Sequence, residues 1–316
     1  MRNPVDLLTD RSSPTGRTFS PVLPLGAHPE GAVGTSWRVL SDDGCREPRF
    51  NLALEEALAG TAGPSPVVRL WRNSRCVVVG RPQVAAAEVD AAACRRLGVP
   101  VLRRISGGGA VYQDAGNLNV TLVVARGDSL LAGIPHDRLV PAVYQLALAP
   151  LAEALRELGL PAVAREREVA VGDRKVSGVA ARLGRRNLLV HATLLVDADL
   201  EILERVLDGP GAPADPLWSA TRSRRRPVTS LASEGMGGPG RRAVGAAVVR
   251  AFAGLERDVA ARRGARSRPF RPGRPTVAER AHAARLLARR YSDPRWHLDG
   301  RDGREREAEM RGARAP

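Results

Sequence analysis

The feature that most constrains the fold is the grouping of β-rich runs. They come in closely spaced pairs and do not alternate one for one with helices. Residues 67–71 and 76–79 are separated by little more than Arg-Asn-Ser, and residues 168–171 and 176–180 flank a Gly172-Asp173 turn, so each pair reads as a hairpin. Further strands are expected at 99–105, 120–124 and 188–196, the first running directly into Ser106-Gly107-Gly108-Gly109. Helical spacing appears at 51–59, 84–97, 136–158, 199–207, 243–262 and 276–290. Pro141 and Pro150 predict a kink in the longest of these. Hairpins interrupted by long helices predict an α+β (mixed α/β) domain and disfavour a doubly wound parallel sheet.

Several function classes fall away on composition. With 43% apolar residues the 316-residue chain can bury a core, and only 3% aromatics leaves few rings on which single-stranded nucleic acid would stack. Cys45, Cys76 and Cys94 form no Cys-x-x-Cys pair and have no nearby His, which excludes a disulfide framework or a zinc site and predicts a reducing compartment. No signal-like or membrane-length apolar run occurs, so a cytoplasmic protein with no membrane partner is expected. The formal charge of +15 suggests a polyanion partner. However, residues 241–316 hold 20 Arg against 9 acids, so most of the surplus lies in the last quarter, where helices lack aromatic interleaving and any helix-turn-helix or zinc pattern. No nucleic-acid partner is expected. Residues 1–36 read as a disordered extension, 302–316 as a charged tail, and 209–240 as a segment rich in Pro, Gly, Ser and Arg.

Of 49 basic residues, 48 are Arg and one is Lys175. On a solvated surface either residue serves. A lysine retained against such a bias marks a position needing a compact ammonium, which guanidinium cannot supply. The Arg103-Arg104-Ile105-Ser106-Gly107-Gly108-Gly109 run suits an anion, because its backbone can approach closely and its guanidiniums can pair with oxygens. A Gly-rich turn with solvated Arg fits the same residues. The chain has no P-loop, and the glycines of this run are not spaced Gly-x-Gly-x-x-Gly. His191, alone in a β run, reads as a core residue.

In order, the chain carries Asn-Leu-Ala-Leu-Glu-Glu from Asn51, Leu-Trp-Arg-Asn from Leu70, Arg-Arg-Ile-Ser-Gly-Gly-Gly-Ala-Val-Tyr-Gln-Asp from Arg103, Gly-Asp-Arg-Lys-Val-Ser-Gly from Gly172 and His-Ala-Thr-Leu-Leu from His191. Together these resemble the lipoate-protein ligase A family over residues 37–301. The resemblance implies a catalytic domain similar to biotin ligases and class II aminoacyl-tRNA synthetases, with a mixed sheet flanked by helices. It also implies two-step chemistry: ATP and lipoate give lipoyl-AMP, and a lysine of a lipoyl-domain acceptor then takes the acyl group. Acceptors would be 2-oxoacid dehydrogenase E2 subunits and the glycine cleavage H protein. Lys175 matches the essential lysine; Ser106, Gly107, Gly108, Gly109, Ala110, Val111, Tyr112 and Gln113 would line the adenylate and lipoyl pocket, with Arg104 near its entrance. Gln113 stands where the family usually has His. Glu168, where the family often has Asp, would help hold Mg²⁺ with the phosphates.

Related octanoyltransferases use no ATP and pass the acyl group through a cysteine shortly before the lysine-bearing hairpin. Residues 160–167 contain no cysteine, which favours the ligase. Pointing the other way, ligases that activate lipoate usually carry a small domain after a Tyr-x-x-x-x-Trp segment, here Tyr291 to Trp296, and no such accessory domain is expected in the residues that follow. The resemblance therefore implies either a separate accessory subunit or acyl transfer alone. It leaves lipoate and octanoate undistinguished.

Overall fold

The computed structural model describes residues 36–61, 63–209, 222–236 and 240–300. The expected disordered extension, all but Ser36, and the charged tail lie outside the described residues. The strands are β1 (Trp37–Arg46), β2 (Val67–Asn73), β3 (Cys76–Val79), β4 (Val101–Arg103), β5 (Val111–Gln113), β6 (Asn117–Ala125), β7 (Ala162–Ala164), β8 (Glu168–Val171), β9 (Arg174–Leu183), β10 (Asn187–Leu195) and β11 (Phe270–Gly273). The helices are α1 (Pro48–Thr61), α2 (Ala85–Glu88), α3 (Ala91–Arg96), α4 (Leu139–Glu157), α5 (Leu200–Val206), α6 (Arg241–Arg262), α7 (Val277–Leu286) and α8 (Pro294–Asp299).

Eight strands form one mixed sheet in the order β11-β1-β2-β6-β10-β9-β8-β7, and β4-β3-β5 form a second. In the large sheet β1 runs parallel to both β11 and β2, and the ladders from β2 through β7 are antiparallel. The α+β expectation and the mixed sheet flanked by helices are thus found.

Period-two alternation sorts the large sheet's two faces. Leu118, Val120, Leu122 and Val124 of β6, with Val190 and Leu194 of β10, join Val143 and Leu146 of α4 and Val244 and Phe252 of α6 in the main core. On the other face α1 and α7 cover Val67, Val123 and Leu189 through Leu54, Leu58 and Ala283. Beyond that apolar patch the same face turns polar. One cross-strand row joins Arg69, Thr121, His191 and Ala180, and the next joins Trp71, Asn119, Thr193, Gly178 and Glu168. Polar side chains on a covered sheet face need partners there, and this is where the site lies.

The structure corrects two local readings and adds detail to two others. Residues 67–71 and 76–79 are not a hairpin: β2 and β3 belong to different sheets, and the chain crosses between them at Ser74-Arg75. Residues 84–97 form two short helices, because the chain is extended at Val89 and Asp90, where the Asp90 carboxylate accepts the Ala93 N–H at 2.8 Å and starts α3. The long helix α4 continues through Pro150, with Pro141 in its first turn. Within 209–240, residues 227–232 are tied to the large sheet: Lys175 donates its N–H to the Pro227 carbonyl and accepts from Thr229 N–H, each at 2.9 Å, while Leu231 and Ala232 pair with Leu195 and Val196.

Strand β4, which delivers the Gly-rich segment, is clamped from the C-terminal side. Arg103 is 1% exposed and donates to the carbonyls of Gly80, Gln83, Trp296 and Leu298, while the Trp296 indole returns a hydrogen bond to the Arg103 carbonyl at 3.0 Å.

Candidate functional site

Lys175 reaches the polar face through a β-bulge. Across β8, Ala170 faces Lys175 and Val169 faces Ser177, leaving Val176 as the extra residue. Without that residue, strict alternation would put Lys175 and Gly178 on opposite faces. With it, the side chain lies over Gly178, and a Cβ added there would meet Nζ at 2.7 Å and Cε at 2.8 Å. Burial pulls the Lys175 ammonium below its ordinary pKa; Glu168 pulls it back up, and Arg104 and Arg226 add to the lowering.

The Lys175 side chain borders an open chamber of about 240 Å³ whose walls include Leu52, Trp71, Val78, Asn119, Gln113 and His191. A second chamber, on the side of α3 and α5, shares Ala110, Val111, Lys175 and Gly178 with the first and adds Tyr112 and Leu203. Lys175 stands where the two meet. Arg165, Arg222, Arg224 and Arg226 give the first chamber a cationic rim.

Arg104 is not at the entrance. It is 4% exposed beneath the Gly-rich segment, donating from Nη2 to the carbonyls of Gly107 (2.6 Å) and Gly109 (2.7 Å), from Nη1 to Val78 (3.0 Å) and from Nε to Ser106 Oγ (2.9 Å). Burial lowers its pKa to about 10. Its fork therefore shapes the loop and is spent before any anion arrives. Gly108 adopts φ +82°, and a Cβ there would press to 3.0 Å against both Ala180 Cβ and Arg104 Nη2, so glycine is required on two counts.

Ser106, fully buried, connects the loop to a chain of polar groups that sequence reasoning missed. Its hydroxyl lies 2.7 Å from His191 Nε2, and His191 Nδ1 lies 3.0 Å and 3.1 Å from the two oxygens of Glu55. Glu55 is 2% exposed and also accepts from Thr121 Oγ1. Burial, the largest single influence, works against its charge, but His191, Thr121 and Arg69 together outweigh it and hold the carboxyl below the usual range. His191 is thus a wall of the site. The available signal was the pair Glu55-Glu56 on an otherwise apolar helix.

The remaining expected residues separate. Ala110 and Val111 border both chambers, whereas Tyr112 borders only the second and packs its buried ring in the core beside α3 and α5. Gln113 is buried with both ends of its amide engaged, accepting from Asn73 Nδ2 at 2.7 Å and donating to Asn119 Oδ1 at 2.8 Å and Thr193 Oγ1 at 2.9 Å. Glu168 lies 3.4 Å from Arg226 Nε and 3.7 Å from Arg165 Nη1. Ser223, not anticipated, accepts the Ala110 N–H at 2.8 Å and ties residues 222–236 to the loop. Cys76 and Cys94 are buried and border neither chamber.

The chain is similar to known proteins in both sequence and fold. Residues 47–253 match the model of the lipoyl protein ligase A/B catalytic domain. A protein assigned as lipoate-protein ligase A in Aeropyrum pernix is 40% identical over 163 residues, which make up 51% of this chain and 58% of that protein, so the match spans less than two thirds of its length. Lipoate-protein ligase A subunit 1 of Thermoplasma acidophilum is 29% identical over 257 residues, 79% of this chain and 92% of the subunit. Among solved structures, a T. acidophilum protein assigned as a lipoate protein ligase, with bound lipoic acid, has TM-score 0.66 at 25% identity, covering 83% of this chain and 99% of that one. A bipartite lipoate protein ligase studied with its E2 lipoyl domain, from the same organism, has TM-score 0.66 at 27% identity, covering 83% and 96%. A lipoate-protein ligase A bound with ATP has TM-score 0.66 at 25% identity, covering 83% and 98%. With its family model matched across the Gly-rich loop, the Lys175 hairpin and the His191 strand, this chain belongs to the lipoyl protein ligase A/B catalytic domain family.

Proposed function

We propose that this protein is a lipoate-protein ligase: it activates lipoate with ATP to lipoyl-AMP and pyrophosphate, then transfers the lipoyl group to a lysine of a lipoyl-domain acceptor. The observation that carries this reading is the Lys175 ammonium, aimed by a bulge over Gly178 where two chambers meet beside the Gly-rich loop. In the first step the lipoate carboxylate oxygen attacks the α-phosphorus and pyrophosphate leaves. In the second the acceptor amine attacks the acyl carbonyl and AMP leaves. Negative charge builds on oxygen in both, and a fixed ammonium at low dielectric stabilises it more than water would. The rim of Arg165, Arg222, Arg224 and Arg226 suits the triphosphate. Relatives solved with lipoic acid and with ATP support both ligands.

Mg²⁺ fits this site only as a companion of the phosphates. Among the described residues no three His, Cys, Asp or Glu side chains cluster as a metal site, and Glu168 offers a single carboxylate already flanked by two guanidiniums. Its part is to keep Lys175 charged and to contact a cation carried in by ATP.

The likeness to subunit 1 of a ligase from T. acidophilum, and to a bipartite ligase from the same organism, supports a separate accessory subunit as partner. The E2 lipoyl domain studied with the latter supports E2-type acceptors, and the glycine cleavage H protein is of the same class. The protein acts in the cytoplasm on this reading, supported by the free thiols of Cys76 and Cys94. No described helix is long and apolar enough to cross a membrane. The test is mass spectrometry of a lipoyl domain incubated with the protein, ATP and lipoate, with and without candidate partner subunits. A lipoyl-sized gain on one lysine that requires ATP supports the ligase; modification from acyl carrier protein without ATP overturns it.

A further inference from the structure

A relay of side-chain amides runs under the first chamber, and its direction is fixed at one end. Arg69, which can only donate, gives a hydrogen bond from Nη2 to Asn51 Oδ1. Asn51 must then present Nδ2 onward, and it donates to Asn73 Oδ1 at 2.8 Å. Asn73 Nδ2 donates to Gln113 Oε1 at 2.7 Å, and Gln113 Nε2 donates to Asn119 Oδ1 at 2.8 Å. Thr193 Oγ1 also donates to that oxygen, at 2.7 Å. Every amide orientation follows from the guanidinium, so the last amide has its oxygen consumed and its nitrogen left over.

Among the described residues that nitrogen has no partner. Asn119 is 1% exposed, its Nδ2 is a buried donor without a hydrogen bond, and the residue forms part of the wall of the first chamber beside Leu52 and Trp71. A buried donor left unpaired is costly, and a cavity that keeps one selects occupants able to accept from it. The cross-strand row places it relative to the reacting end. Gly178, under the Lys175 ammonium, is two strands from Asn119, with Thr193 between them, a span of roughly 10 Å. An extended eight-carbon acid with its carboxyl group at Lys175 would be long enough to bring its far end to Asn119.

We propose that Asn119 is a specificity-determining residue for the distal end of the acyl chain, donating from Nδ2 to a sulfur of the dithiolane ring and disfavouring chains that end in a methyl. This deepens the lipoate-activating reading and rests on it. Lipoate carries weak acceptors at that end, whereas octanoate carries none and would leave the donor unpaired.

The test is calorimetric titration of the full chain with lipoate, octanoate and 8-hydroxyoctanoate, the last as slim as octanoate but ending in an acceptor. The wild type should bind lipoate and 8-hydroxyoctanoate roughly tenfold more tightly than octanoate. Asn119→Leu and the smaller Asn119→Ala both remove the donor without supplying another, and Gln113 Nε2 keeps Thr193 Oγ1 as its acceptor. In either variant, shown folded by its melting curve, both preferences should shrink towards unity with octanoate affinity changed less than about threefold. A role in packing alone would not favour 8-hydroxyoctanoate over octanoate. The proposal is overturned if the wild type binds those two acids alike, or if a folded variant keeps the preference. Failure of the wild type to bind any of the three acids overturns the lipoate reading instead.

Discussion

Lys175 Nζ lies 2.7 Å from the position that a Cβ on Gly178 would take, so the glycine is the seat of the ammonium. Gly178→Ala adds a methyl group directly under the charge, and the flexible end of the lysine must move away. Alanine suits a strand no worse than glycine, so stability should change by less than about 1 kcal/mol. Adenylation should fall by about 10- to 100-fold, because an ångström of displacement at the reacting atoms is expensive. Melting curves and pyrophosphate exchange on the same preparation separate the two effects.

The charge of Lys175 makes activity depend on pH in a stated direction. Burial lowers its pKa and Glu168 opposes that shift, so the ammonium is lost as pH rises through a value below that of an ordinary lysine. The basic limb of the pH–rate profile for adenylation should lie at that lowered value. Glu168→Gln removes the opposing charge and should move the limb further down in pH. An unmoved limb would mean that another group controls it.

Arg104→Lys keeps a positive charge but loses the fork that holds the Gly107 and Gly109 carbonyls, Val78 and Ser106 together. A single ammonium cannot reach all four acceptors. Stability should drop by about 2–3 kcal/mol in urea unfolding, and KM for ATP and lipoate should rise as the loop loosens.

How much of this was legible depends on the range of each signal. Lys175 stood out because it is the single lysine among 49 basic residues, and Ser106 to Gly109 because a strand runs into three glycines. Both are local marks. The β2–β3 hairpin was misread because residues 67–71 and 76–79 each look like good strands, and nothing nearby reveals that they pair with β6 and with β4 and β5. Strand β1 has its parallel neighbour β11 more than two hundred residues away, beyond any local window. The same holds for Glu55 and His191, 136 positions apart, and for the relay through Asn51, Asn73, Gln113 and Asn119. Each residue has an unremarkable alternative taken alone, and only the sheet register brings them together. The β-bulge at Val176 is likewise invisible in composition, although it decides which face Lys175 occupies.

The Glu55–His191 pair gives an acid-stability prediction. Glu55 has a carboxyl held below the usual range in the folded protein, so it contributes stability above that range, and this is lost as pH falls through the lowered value. His191→Ala leaves a buried carboxylate with less compensation and should cost about 3 kcal/mol near neutral pH. In acid, once Glu55 is protonated, the difference from wild type should shrink. Urea unfolding across that pH range measures it, and a difference that stays constant with pH would show that the pair is not the source.

The most direct test of the central claim is pyrophosphate exchange with ATP and lipoate, comparing wild type with Lys175→Met in the presence of any accessory subunit that the wild type requires. Methionine keeps the length and removes the charge. The account predicts exchange in the wild type and a loss of at least about a thousandfold in the variant, with the melting temperature retained. Exchange that survives in a folded Lys175→Met protein would contradict it.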